Sequence, residues 1–170
     1  MANILGFVGI AVSGFALLFA ILAAALTLWE SLEVGSSKTT TGLWETCTEL
    51  SGNKVCIDLN SDNVQDDDTL RDLRAVRATV ILGVILSAAA IVTGILVMFV
   101  MKDTKILFFV AGGLDIAAGL FLMVGMAVFV DKLENDLMDY DAAFAMDIVA
   151  WIAAWAGGGI FCAAKMMDKE

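Results

Sequence analysis

Neither proline nor histidine occurs in the 170-residue chain, and basic side chains are scarce, ten against twenty acidic ones. The lack of proline predicts helices without sharp kinks, which favours a rigid scaffold over a transporter built on broken helices. The lack of histidine removes the commonest general base and metal ligand. No nucleophile–base pair, phosphate loop or metal-ligand spacing takes its place, so the chain does not read as an enzyme, and no catalytic residue, metal or cofactor is expected. The acidic residues Asp62, Asp66, Asp67 and Asp68 are of the type that Ca²⁺ favours, but they lack the looped spacing and glycine of a defined site.

Apolar sequence, by contrast, is abundant, 60% by count. Four runs, Ile4–Leu28, Ala78–Met101, Ile106–Val130 and Ala142–Ala164, each reach the roughly 20 residues needed to cross a hydrocarbon core. A surface helix of a water-soluble protein would carry a polar face, whereas the first two runs contain no charge at all. The first run has no basic segment before it and exceeds the ~7–15 apolar residues of a signal peptide, so it reads as a retained span. The chain is an integral membrane protein.

Charge is concentrated between the spans. The loop 29–77 holds ten acids and five bases, and the loop 131–141 holds five acids and Lys132. The turn 102–105 has a net charge of +1 and the tail 165–170 is neutral. Lysines 102, 105, 165 and 169 oppose Arg71, Arg74 and Arg77, so the positive-inside count is divided. A disulfide between Cys47 and Cys56 would need an oxidising compartment. It would put 29–77 and 131–141 outside the cell and both termini in the cytoplasm, with the plasma membrane as the expected location. The outer face is then strongly acidic, which argues against nucleic acid or anionic lipid as its partner.

Within the first loop, Thr39–Leu50 alternates and is rich in threonine and tryptophan, which suits a strand. Ser51-Gly52-Asn53 is a turn cluster, and Lys54–Leu59 alternates again, which predicts a hairpin. A four-residue loop at Leu50–Asn53 sets Glu49 opposite Lys54 and Cys47 opposite Cys56, close enough for a disulfide after a small adjustment. Two free thiols are the alternative, with Cys162 a third. Cys162 ends the fourth span, where a buried thiol and a lipid-modified one are both compatible with the position. Asp67 or Asp68 is expected to cap a helix starting at Thr69. Along it, Leu70, Leu73 and Val76 run parallel to a basic stripe of Arg71, Arg74 and Arg77. The arginines have three open roles: pairing with loop acids, reaching lipid headgroups, or balancing a solvated acidic face.

The order Trp29, Gly42-Leu43-Trp44, Cys47, Cys56 and Arg77 resembles the claudin, peripheral myelin protein and lens membrane protein superfamily. Ala118-Gly119-Leu120 and Ala150-Trp151 add to the likeness. The resemblance implies one claudin-like membrane domain over residues 1–170. The fold would be all-α and transmembrane, a left-handed four-helix bundle carrying a small extracellular antiparallel β-sheet, with one strand from the second loop. Trp29 and the Gly-Leu-Trp triplet would seat the sheet on the bundle. Relatives build tight junctions, adhere between cells, pack lens or myelin membranes, or serve as auxiliary subunits. Trp29 to Gly42 is shorter than claudins show, the second loop is short, and neither outer loop has an Asn-x-Ser/Thr acceptor. The tail Met-Met-Asp-Lys-Glu lacks the apolar end that PDZ-type scaffolds capture. These departures favour the myelin and lens branch or a divergent invertebrate relative.

Small residues mark helix-packing faces: Gly9 and Ser13, Gly112-Gly113 and Gly119, and Gly157-Gly158-Gly159. Asp115 and Asp147 interrupt the third and fourth spans, where an ionised Asp costs at least ~2.5–3.5 kcal/mol. Three readings are open for them: protonated and hydrogen-bonded inside the bundle, in contact with a partner subunit, or lining a cation or proton path. Three functions follow. The first is a structural, adhesive membrane protein that self-associates through its outer sheet, at cell contacts or in packed membranes, with itself and lipid as partners. The second is an auxiliary subunit of a larger channel or receptor, motivated by the two buried acids. The third is a cation-selective paracellular pore in which Asp58 tunes selectivity, since the resemblance implies a charge one residue away from that position.

Overall fold

The structure, a computed structural model, describes residues 2–35, 37–60, 62–64, 66–100, 106–133 and 138–167. The turn 102–105 with Lys102 and Lys105, residues 134–137 of the second loop, and Lys169 at the end of the tail lie outside the described residues.

Four helices form the bundle: α1 (Ala2–Ala25), α2 (Asp67–Phe99), α3 (Leu107–Lys132) and α4 (Ala142–Met167). Each is long and apolar enough to cross a membrane. They pack as a ring, α1 on α2 and α4, α3 on α2 and α4, with the α1–α2 seam the least extensive of the four. At 33 residues and about 1.5 Å per residue, α2 outruns the bilayer and stands above the bundle at one end. That projection carries the arginine stripe. Its cap is Asp66, one residue earlier than expected, whose carboxylate accepts from the Thr69 amide and hydroxyl. Asp67 and Asp68 instead form the first turn.

Close approach of α3 and α4 explains their small residues. A Cβ on Gly112 would lie 2.8 Å from the Gly158 carbonyl oxygen, and one on Gly158 would lie 2.7 Å from the Gly112 carbonyl oxygen. Gly113 and Gly159 meet nothing within 4 Å and take no part in that contact.

Above the bundle lies a five-stranded antiparallel sheet: β1 (Glu30–Val34), β2 (Ser37–Thr41), β3 (Glu45–Leu50), β4 (Asn53–Asp58) and β5 (Asp139–Tyr140), in the order β4-β3-β2-β1-β5. The β3–β4 hairpin pairs Glu49 with Lys54 and Cys47 with Cys56, and the two cysteines form a disulfide. The ladder runs one pair further than expected, to Leu50 and Asn53. Ser51 and Gly52 alone make the turn, both at positive φ, as a two-residue hairpin turn of the primed type requires.

Two expectations are corrected here. Thr39–Leu50 is not one strand, because Gly42-Leu43-Trp44 leaves the sheet between β2 and β3. Gly42 presses against the backbone of the α1 exit, where a Cβ would fall 2.6 Å from Thr27 Cα and 2.8 Å from the Leu26 carbonyl oxygen. The first span also ends earlier, at Ala25, because Leu26–Leu28 turn toward the sheet.

Candidate functional site

A helix end leaves its last four carbonyls without intrahelical partners, and the two tryptophans of the motif answer that need at α1. Trp29 Nε1 donates to the Ala23 carbonyl at 2.7 Å, and Trp44 Nε1 donates to the Ala24 carbonyl, also at 2.7 Å. Trp29 is fully buried and packs edge to face with Phe144 and obliquely on Phe129. Leu43 is buried in the same cluster as Trp29, Val76 and Val80. Trp44 is 43% exposed. Arg77 binds the hairpin from below, donating from Nε to the Leu43 carbonyl and from Nη2 to the Leu59 carbonyl, each at 2.6 Å. Its guanidinium lies 4.9 Å from the centre of the Trp44 ring. Burial, with the like charge of Arg74 second, pulls its pKa below the ordinary value, but an arginine remains charged. The motif residues Trp29, Gly42, Leu43, Trp44 and Arg77 therefore meet at one junction, where they fix the sheet to the helices.

The register sorts the sheet into two unlike faces, because directly paired residues project to the same side. One face carries the rows Asn53–Leu50–Ser37–Val34, Val55–Thr48–Thr39–Leu32 and Ile57–Thr46–Thr41–Glu30. Its only charge is Glu30, which is buried. Hydroxyl pairs Thr39–Thr48 and Thr46–Thr41 run across its centre. Val34, Leu50, Val55 and Ile57 are 65, 55, 63 and 56% exposed on it. The opposite face holds the disulfide, the alternating row Lys54–Glu49–Lys38–Glu33, and Asp58 directly opposite Glu45. The Lys38–Glu33 pair at 3.0 Å raises the lysine pKa through a hydrogen bond and charge attraction. β4 is an edge of the sheet, and all six of its residues are exposed.

Asp115 and Asp147 are fully buried inside the bundle. Ser13 of α1 donates a hydrogen bond to Asp115 Oδ2, tying the first span to the third. Asp115 Oδ1, both carboxyl oxygens of Asp147, Ser87 Oγ and Trp151 Nε1 are buried without a hydrogen-bond partner in the protein among the described residues. Neither acid reaches the outer surface of the bundle in the single chain. Cys162 is half-buried and its thiol faces Gly112 of α3. Among the described residues, the cluster that could hold a metal is Glu45 with Cys47 and Cys56, but both sulfurs are consumed in the disulfide. Of the acidic run, Asp66 is spent as a helix cap, its pKa lowered by the Thr69 hydrogen bonds, and Asp68 pairs with Arg71 at 3.2 Å.

Sequence reasoning missed two features. The indoles act as acceptor-satisfying caps of α1, which no local pattern encodes. The uncharged face was visible in principle, because Val55 and Ile57 alternate with Lys54, Cys56 and Asp58, but its extent depends on the register of three further strands. The chain matches, over residues 2–162, the family described as PMP-22/EMP/MP20/Claudin family. No curated protein matches it.

Proposed function

Because the chain belongs to the PMP-22/EMP/MP20/Claudin family, non-enzymatic multi-pass membrane proteins, we propose that it is a structural protein of the plasma membrane that self-associates through its sheet. The termini are cytoplasmic and the sheet lies outside the cell, where the disulfide is stable. The observation that carries this reading is β4. A six-residue exposed edge strand is a template for another strand; the Asp58 carbonyl at its end is already taken by the Asn60 amide and Asn63 Nδ2, and no proline or bulge guards the rest. Val55 and Ile57 continue the uncharged face to that edge, so a second copy aligned strand to strand would bury both. Exposed apolar surface of this kind marks contact sites.

Cell mixing tests the reading. Cells expressing the tagged chain should concentrate it where two expressing cells touch, and the Val55→Glu/Ile57→Glu variant should stay evenly spread at equal surface level. Equal enrichment of the double variant at contacts would refute the role of β4.

A second reading rests on the opposite face. Asp58 and Glu45 are directly paired like charges, an arrangement that disfavours the isolated sheet and is relieved by cations. If associated copies enclose a passage, these carboxylates line it, and Asp58→Asn lowers the permeability ratio of Na⁺ to Cl⁻ across an expressing cell sheet. An unchanged ratio removes this version. The auxiliary-subunit reading has no comparable support, since the acids that motivated it are enclosed by the chain's own helices.

A further inference from the structure

Below the Trp44 ring, the thin seam between α1 and α2 opens as a groove of about 270 Å³ lined only by apolar surface: Ile21, Ala25, Ile81, Val84 and Ile85, with Trp44 as the roof. Arg77 stands over that roof. It also heads the stripe of α2 that lines the groove, since residues 77, 81, 84 and 85 fall on one helical face. From Arg77 to Ile85 the rise is roughly 12 Å at 1.5 Å per residue, most of the depth of one leaflet of a core about 30 Å thick.

Arg77 is the odd charge of the molecule. Acids outnumber bases two to one, yet this half-buried guanidinium hydrogen-bonds two neutral carbonyls, lies over the Trp44 ring, and has no carboxylate within ion-pair distance among the described residues. Its Nε and Nη2 are engaged, and Nη1 has no hydrogen-bond partner among the described residues. Basic pockets between spans take up lipid headgroups for this reason. Glu45 and Asp58, paired across the hairpin and within two residues of the carbonyls that Arg77 holds, disfavour a net-anionic headgroup and suit one whose outer end is cationic.

We propose that the α1–α2 seam is a binding site for one zwitterionic phospholipid of the sheet-side leaflet, its phosphate on Arg77 and an acyl chain in the groove beneath Trp44. The occupant closes the weakest seam of the bundle and supplies the counter-charge that the chain withholds. Trp44 is suited to its position because the Ala24 hydrogen bond fixes the ring as a rigid wall. No residue of β4 lines the groove, so lipid retention is read independently of self-association.

Native mass spectrometry of the full chain, extracted in mild detergent and supplied with phosphatidylcholine, phosphatidylglycerol or diacylglycerol of the same chains, tests it. Phosphatidylcholine should be retained one per chain, above phosphatidylglycerol, and diacylglycerol should be lost. Ala25 is exposed, so Ala25→Trp fills the groove without disturbing the core and should lower retention about tenfold. Arg77→Gln should lower it as well; if loss of the hairpin ties unfolds that variant, the Ala25→Trp result decides. Retention unaffected by Ala25→Trp, equal retention of diacylglycerol, preference for phosphatidylglycerol, or a groove occupied by a second copy with no lipid would each overturn the proposal.

Discussion

At the scale of single residues, the junction between sheet and bundle depends on a few side chains that each do two things. Trp29 fills the core with its ring and satisfies the Ala23 carbonyl with its nitrogen. Trp29→Ala should therefore lower stability by about 3–5 kcal/mol, the range for deleting a buried large aromatic. Trp29→Phe, which keeps most of the packing and drops the hydrogen bond, should lose distinctly less. Thermal unfolding of both variants in detergent, followed by near-ultraviolet circular dichroism, gives the ranking; equal losses would mean that packing is not the larger share. The motif residues were legible in the sequence as a set, because tryptophan, glycine and paired cysteines in a polar loop have few other uses. Their tasks were less so. Trp29 and Trp44 are 15 positions apart yet serve adjacent carbonyls of α1, a relation that exists only after the loop has folded back. Asp115 shows the same limit, since its partner Ser13 lies 102 residues away in sequence.

Elements follow simpler rules, and here composition and periodicity carried most of the information. The four spans were readable because a bilayer demands about 20 apolar residues each, and the β3–β4 register followed from a turn cluster flanked by alternation. What failed was local. Gly42-Leu43-Trp44 looks like strand by propensity, but tertiary contact with the α1 exit pulls it out of the sheet. Glycine contacts yield a sharp prediction for the helices. Gly158→Ala would drive a methyl into the Gly112 carbonyl, a rigid neighbour, and should destabilise by about 1–3 kcal/mol. Gly159→Ala, one position on, meets open space and should be neutral or gain up to about 1 kcal/mol from helix propensity. Unfolding midpoints of the two variants that moved together would contradict the α3–α4 contact. The start of α2 yields a pH prediction. Hydrogen bonds from Thr69 hold the Asp66 carboxylate below its usual range, so the cap contributes at neutral pH and is lost as pH falls through that lowered pKa. The protection factors of the Thr69 and Leu70 amides, which divide out the intrinsic pH dependence of exchange, should fall on acidification, and Asp66→Asn, which caps without titrating, should flatten that dependence. No flattening would mean that another group governs the end of the helix.

For the whole molecule, the helices bury their two acids and meet in a ring whose thinnest seam lies between α1 and α2, whereas the sheet presents a face whose one charge, Glu30, is buried, and an edge at β4. Fold class was legible from four runs and one loop motif. The asymmetry of the sheet was not, because it emerges from the register of four strands taken together. Light scattering of the purified full chain in a mild detergent measures self-association through that edge. The wild-type mass should rise with concentration to dimers and beyond, and the Val55→Glu/Ile57→Glu variant should stay monomeric with its disulfide and melting temperature intact. A wild-type chain that remains monomeric across the range, or a double variant that assembles as well as the wild type, would contradict it.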